Sequence, residues 1–149
     1  VHTQLREAGV TLHRDLPDGL PMLFVDRLGV EQALSNLLLN AAHAAGPGGE
    51  IHLSARAVDE WCEFVVEDTG PGISPERLPR IFEPFYTDRA AGEGMGLGLS
   101  AALGVVEQHR GTLRAGSSAL HGGACMVMAL PSHWNGMDDE RELTREAAV

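Results

Sequence analysis

The sequence predicts an α/β fold: a two-layer sandwich of one mixed sheet with helices on one face. Two segments, Arg27 to about Ala45 and Gly96 to His109, repeat apolar residues at helical spacing. Six shorter segments before, between and after them read as strands. The chain has 149 residues, 44% apolar and 21% charged, which suits one ordinary domain with a buried core and argues against disorder.

Val10 to Leu16 and Met22 to Val25 are the first two predicted strands, separated by the turn-forming Pro17-Asp18-Gly19. Asp26 is placed to cap a helix, although no capping box follows because Gly29 holds the third helical position. In that helix Val30, Ala33, Leu34, Leu37, Leu38 and Ala41 form the apolar stripe, and Gly46-Pro47-Gly48-Gly49 stops it. Ile51, Leu53, Ala55 and Ala57 then alternate with polar residues. After a turn near Asp59, Cys62 to Val66 is the natural hairpin partner. Thr69 to Gly98 is rich in Gly and Pro, with one short helix expected over Pro75 to Ile81. A loop this long in a compact domain usually carries function. The second long helix follows, and Thr112 to Ala115 and Ala124 to Leu130 close the sheet. The domain is expected over residues 1–131, with an acidic tail over residues 132–149.

The net charge of -10 disfavours nonspecific nucleic-acid binding, which depends on cationic neutralisation of phosphates. It leaves room for a nucleotide held by backbone N–H groups and a metal. All 11 Lys and Arg positions are Arg, so no lysine mechanism operates in this chain. Cys62 and Cys125 sit in separate apolar runs, as core residues of a reduced protein rather than a disulfide. No apolar run reaches the ~18 residues of a membrane span. The sequence starts at Val1, as expected of a trimmed fragment.

Four constellations could carry chemistry. Asn36 and Asn40 are four apart and share a helix face. They could offer neutral oxygens to a hard cation or bind phosphate, or simply be solvated. Asp68-Thr69-Gly70-Pro71-Gly72 puts a carboxylate at a strand end beside glycines that permit close backbone approach; a capped turn is the plain alternative. Phe82, Phe85 and Tyr86 crowd one loop, as a small satellite core would. Gly92 to Leu99, with Gly94, Gly96 and Gly98, opens a helix and can form an anion nest. It is not a P-loop, since no G-K-[ST] follows, and no strand leads into it as in a dinucleotide fingerprint.

Taken in order, N-x-x-x-N, D-x-G-x-G, F-E-P-F and G-x-G-x-G-L resemble the N box, first glycine box, F box and second glycine box of sensor histidine kinases. That family shares its ATP-binding domain with gyrase B subunits, mismatch-repair proteins and heat-shock chaperones. The resemblance covers about residues 16 to 131, including Leu20-Pro21, Asp26 and the closing run Gly123 to Pro131.

The resemblance implies a histidine kinase-type fold and an ATP site. In it Asp68 accepts from the adenine amino group, and Gly70, Gly72 and Ile73 border the base. Asn40 binds Mg2+ with Asn36 beside it. Gly94, Met95, Gly96, Leu97, Gly98 and Leu99 shape the phosphate cradle and its lid, from Tyr86 to Gly96. Tyr86, Thr87 and Arg89 extend the site. Asn36, Asn40 and Arg89 are the expected catalytic residues, with Arg89 where many relatives have Lys. His43 stands where several carry a phosphate-touching Lys, and a solvated His is the simpler reading. Asp88 replaces a usual Thr, and Ala124 a frequent one.

No His among His2, His13, His43, His52, His109, His121 and His133 sits in a phosphoacceptor pattern, and His109 reads as structural. The implied partner is a helical phosphoacceptor and dimerisation domain of the parent protein, with a response regulator downstream. The implied location is cytoplasmic, whether or not the parent is membrane-anchored, with no nucleic-acid or membrane contact by this domain. Three rivals share the nucleotide site. A gyrase-type ATPase would carry Glu at position 36 to activate water, which an amide cannot do. An anti-sigma-factor kinase usually lacks the full F box. A nucleotide sensor would do no catalysis.

Overall fold

The computed structural model describes residues 1–87 and 95–132. Five strands form one mixed sheet: β1 (Thr11–Asp15), β2 (Glu50–Val58), β3 (Trp61–Asp68), β4 (Thr112–Ser117) and β5 (Ala124–Pro131), in the spatial order β1-β2-β3-β5-β4. β1 runs parallel to β2 and the other pairs are antiparallel. Among the described residues three α-helices accompany the sheet: α1 (His2–Glu7), α2 (Arg27–Ala45) and α3 (Gly98–Gln108). The predicted two-layer sandwich is therefore the observed one, with β2 and β3 paired as the expected hairpin.

Strand alternation sorts the two faces. Leu53, Val66 and Met126 lie in register and meet Leu37, Leu38 and Ala41 of α2 and Ala102 and Val106 of α3 in one core. The opposite face carries Glu50, His52, Glu63 and Glu67 on alternate positions. There Glu63 is held by Arg56 at 2.7 Å and Arg114 at 3.2 Å, so this face is charged rather than apolar.

Asp26 caps α2 by accepting from the Leu28 N–H at 3.1 Å, worth about 1 kcal/mol for such a cap. Gly29 explains the missing capping box: a Cβ there would stand 2.6 Å from Asp26 Oδ2. His109 is structural, as expected. Its Nε2 accepts from the Asp26 N–H at 2.9 Å and its Nδ1 lies 2.7 Å from the Val105 carbonyl, tying the end of α3 to the start of α2. Cys62 and Cys125 are free thiols, and burial pushes both up from the ordinary thiol range.

Two expectations need correction, and one element was not expected. Met22 to Val25 forms no strand. Its alternation is real, with Leu23 and Val25 on the core and Met22 and Phe24 exposed, but the segment has no ladder partner and leads directly into the α2 cap. Pro75 to Ile81 is not a helix, and only a 3-10 turn over Leu78–Arg80 forms. Pro79, inside the segment, supplies no N–H and crowds the preceding turn. The short helix α1 was not expected; Leu5, its only large apolar residue, is fully buried and pins it to the core. The expected acidic tail from residue 133 onward lies outside the described residues.

Candidate functional site

A cavity of about 530 Å³ opens between α2, the ends of β3 and β5, the loop after β3 and the start of α3. Its floor is set by strand parity. Val66 faces the core, so Asp68, two residues on, points to the same side at the end of β3. Asp68 is only 3% exposed. Its Oδ1 accepts from the Gly70 N–H at 2.8 Å and the Ala124 N–H at 3.2 Å, while Oδ2 has no hydrogen bond among the described residues. Burial raises the Asp68 carboxyl above the ordinary Asp range, and the two backbone donors oppose that rise. The result is a fixed, largely desolvated acceptor at the cavity wall.

Glycines make this arrangement possible. A Cβ on Gly123 would collide with the Asp68 carbonyl oxygen and with its Oδ1. A Cβ on Gly70 would meet the Ala44 carbonyl of α2 at 2.5 Å. Gly70 does not line the cavity; it stands behind Asp68 and orients it. Gly72 adopts a positive φ of 77° and lines the cavity beside Ile73. Ala124 contributes its backbone N–H whatever its side chain, so its departure from Thr leaves that donor intact.

On α2, Asn36, Asn40 and His43 line the opposite wall, as helical spacing predicts. The two Asn differ. Asn36 Oδ1 accepts from Gln32 Nε2 at 3.1 Å and its Nδ2 donates to the Gly98 carbonyl at 3.1 Å. Asn40 makes no side-chain hydrogen bond among the described residues, so its amide is available to a ligand. His43 is exposed at the rim.

Tyr86, Thr87, Met95, Gly96, Leu97, Gly98 and Leu99 complete the wall. Gly96, at φ 66°, packs where a Cβ would strike the backbone of Phe85 and Tyr86, and its carbonyl accepts from the Phe85 N–H at 3.0 Å. Phe82 packs on the core, whereas Phe85 is 73% exposed with φ 65°. Arg80 lies over the Tyr86 ring at 4.7 Å. Arg89 and Gly94, with most of the expected lid, lie outside the described residues.

Sequence reading missed Leu39, Ala44, Arg77, Ile81 and Met126 in the cavity wall, and Gly123 behind it. Ala44 was accessible, being four residues beyond Asn40 on the same helix face. Arg77 and Gly123 depend on long-range packing that spacing does not encode.

The sequence profile described as "Histidine kinase-, DNA gyrase B-, and HSP90-like ATPase" matches residues 25–133. The alginate biosynthesis sensor protein KinB of Pseudomonas aeruginosa is 39% identical over 122 residues, covering 82% of this chain and 20% of KinB. The chain thus spans about a fifth of that relative's length. Among solved structures, the mycobacterial sensor histidine kinase MprB superposes with a TM-score of 0.77 at 28% identity, covering 87% of this chain and 89% of that one. Full-length ShkA in complex with AMPPNP gives 0.74 at 30% identity, covering 87% of this chain and 27% of that one.

Proposed function

The chain belongs to the histidine kinase-, DNA gyrase B-, and HSP90-like ATPase family, as an ATP-binding catalytic domain of the sensor histidine kinase kind, and we propose that it presents the γ-phosphoryl group of Mg-ATP to a histidine on a separate helical domain. The observation that carries this reading is Asp68: a buried carboxylate with one oxygen fixed by two backbone N–H groups and the other left to accept from an adenine amino group. That ShkA was solved with AMPPNP supports a nucleotide in the equivalent cavity.

The α2 face suits the phosphate end. Asn40 offers a neutral oxygen of the kind hard cations accept, and its amide has no other partner among the described residues. Asn36, held by Gln32 and Gly98, braces the start of α3 and stands beside that position. A bound Mg2+ would neutralise phosphate charge in the transition state. His43, Thr87 and the backbone from Gly96 to Leu99 border the phosphate path, and Arg89 and Gly94 join it on sequence grounds.

Transfer is favoured over hydrolysis by Asn36. Its amide is no general base, and both its polar ends are already hydrogen-bonded. The nucleophile must then come with the acceptor, which would dock near the exposed Phe85. Positioning supplies most of the rate in such a reaction. The parent protein would pass the group on to a response regulator, with this domain on the cytoplasmic side. Among the described residues no helix is long and apolar enough to cross a membrane.

The test mixes this chain with the helical acceptor domain of its parent protein and γ-labelled ATP. Acid-labile label on the acceptor, absent without this chain, is the expected result. Rapid phosphate release with no acceptor present would favour the clamp ATPase, and acid-stable label on Ser would favour an anti-sigma-factor kinase.

A further inference from the structure

We infer that the uncovered face of the sheet holds a site for a divalent transition metal of the Zn2+ kind, with His13, Glu50 and His52 as its ligands. The site lies on the face opposite the α2 and α3 layer and is independent of the nucleotide cavity.

Register brings the residues together. His13 on the edge strand β1 lies directly opposite His52 on β2, and Glu50 is two residues before His52 on the same face. Glu50 Oε2 is 3.1 Å from His13 Nε2 and 3.4 Å from His52 Nε2. The three ligand atoms all lie within 4.8 Å of one another. Nitrogen and oxygen ligands about 2.0–2.1 Å from a tetrahedral Zn2+ stand roughly 3.4 Å apart, so the two Glu50 distances already match such an edge. His13 and Glu50 are each about half exposed (49%), which gives His13 the freedom to turn its lone pair inward and leaves a coordination position for water.

His52 is held ready. Its ring is stacked between His13, at 4.6 Å between centroids, and His121, at 3.7 Å and 8° between planes. The His121 backbone is anchored in turn: its main-chain N–H donates to Ser118 Oγ at 2.9 Å, and that hydroxyl donates to Glu67 Oε1 at 2.7 Å. His52 Nε2 is shut off from solvent yet makes no hydrogen bond among the described residues. A buried imidazole nitrogen normally finds a donor or a metal. Two imidazoles and one carboxylate select Zn2+, Ni2+ or Cu2+ over Mg2+, which prefers oxygen alone. The bound ion would cross-link edge strand β1 to β2, stabilising the folded state by mass action.

The experiment is calorimetric titration of the untagged chain with Zn2+ in excess Mg2+, with Co2+ absorption to report coordination. One ion per chain is expected, with a higher melting temperature. His13→Ala, His52→Ala and Glu50→Gln should each lose at least about tenfold in affinity, since even outer-shell partners are commonly worth that much. His2→Ala and Asp68→Ala should bind Zn2+ as the parent does, which separates this site from the nucleotide site. Absence of saturable Zn2+ binding, or equal binding by the His13→Ala/His52→Ala double variant, overturns the assignment.

Discussion

Asn36 donates its side-chain N–H to the carbonyl of Gly98 at 3.1 Å, joining the middle of α2 to the first residue of α3 across 62 positions of sequence. The bond holds the start of α3 against the cavity. Asn36→Ala should cost about 0.5–1.5 kcal/mol of local stability, the usual net worth of such a bond. Amide exchange at Gly98 to Ala101 should accelerate while the β-sheet stays protected. Unchanged exchange there would mean that α3 is held by its apolar face alone.

Gly123 and Asp68 form the tightest approach in the site. Gly123→Ala forces a Cβ onto the Asp68 carbonyl oxygen, so backbone must move. Gly122→Ala is strained by its positive φ of 79° but meets no atom within 4 Å. The first variant should lose nucleotide binding even where it folds, and the second should lose stability and retain binding. Calorimetry on the two side by side checks this, and equal binding loss would remove Gly123 from the site.

The pH dependence follows from Asp68. Burial raises its carboxyl above the reference value of 3.8, so the folded chain holds this proton where the unfolded chain has released it. The sign is therefore that the folding stability linked to Asp68 is greatest in acid. It is lost as pH rises from 3.8 through the higher folded value, and the penalty is constant above that. Asp68→Asn should thus match or exceed the parent's melting temperature at neutral pH, with the gap closing on acidification. Protonation also removes the acceptor for adenine, so parent ATP affinity should fall at a pH above the ordinary Asp range. Affinity that stays flat down to that range would show that the charge plays no part.

The layer architecture was legible because the apolar stripe of α2 and the apolar–polar alternation of β2 stand in the sequence, while β3 and β5 read as short apolar runs bounded by turns. The site boxes were legible because Asn36, Asn40, Asp68, Gly72 and Gly96 to Leu99 fall at fixed offsets along local elements, and the fold brings them to one cavity. Alternation misled at Met22 to Val25, where Leu23 and Val25 face the core without a neighbouring strand to bond. Helical spacing treated Asn36 and Asn40 as a pair, yet only packing against Gln32 and Gly98 distinguishes the braced amide from the available one. The stacked row His13, His52 and His121 was invisible for the same reason, since it forms across β1, β2 and the turn before β5.

That distinction between the amides predicts how metal and nucleotide couple. Asn40→Ala should weaken Mg-ATP binding more than metal-free ADP binding, because only the first uses its oxygen on a cation. Titrations at several Mg2+ concentrations measure the difference. Equal losses with and without metal would make Asn40 a packing residue.

Adenine recognition by Asp68 is tested by the affinity of the parent and of Asp68→Ala for ATP and GTP, measured by calorimetry. A hydrogen bond to a charged acceptor is worth about 1.5–3 kcal/mol, or roughly one to two decades. At least about a tenfold loss is expected for ATP, with GTP binding nearly unchanged. Equal ATP affinity in the variant and the parent would contradict it.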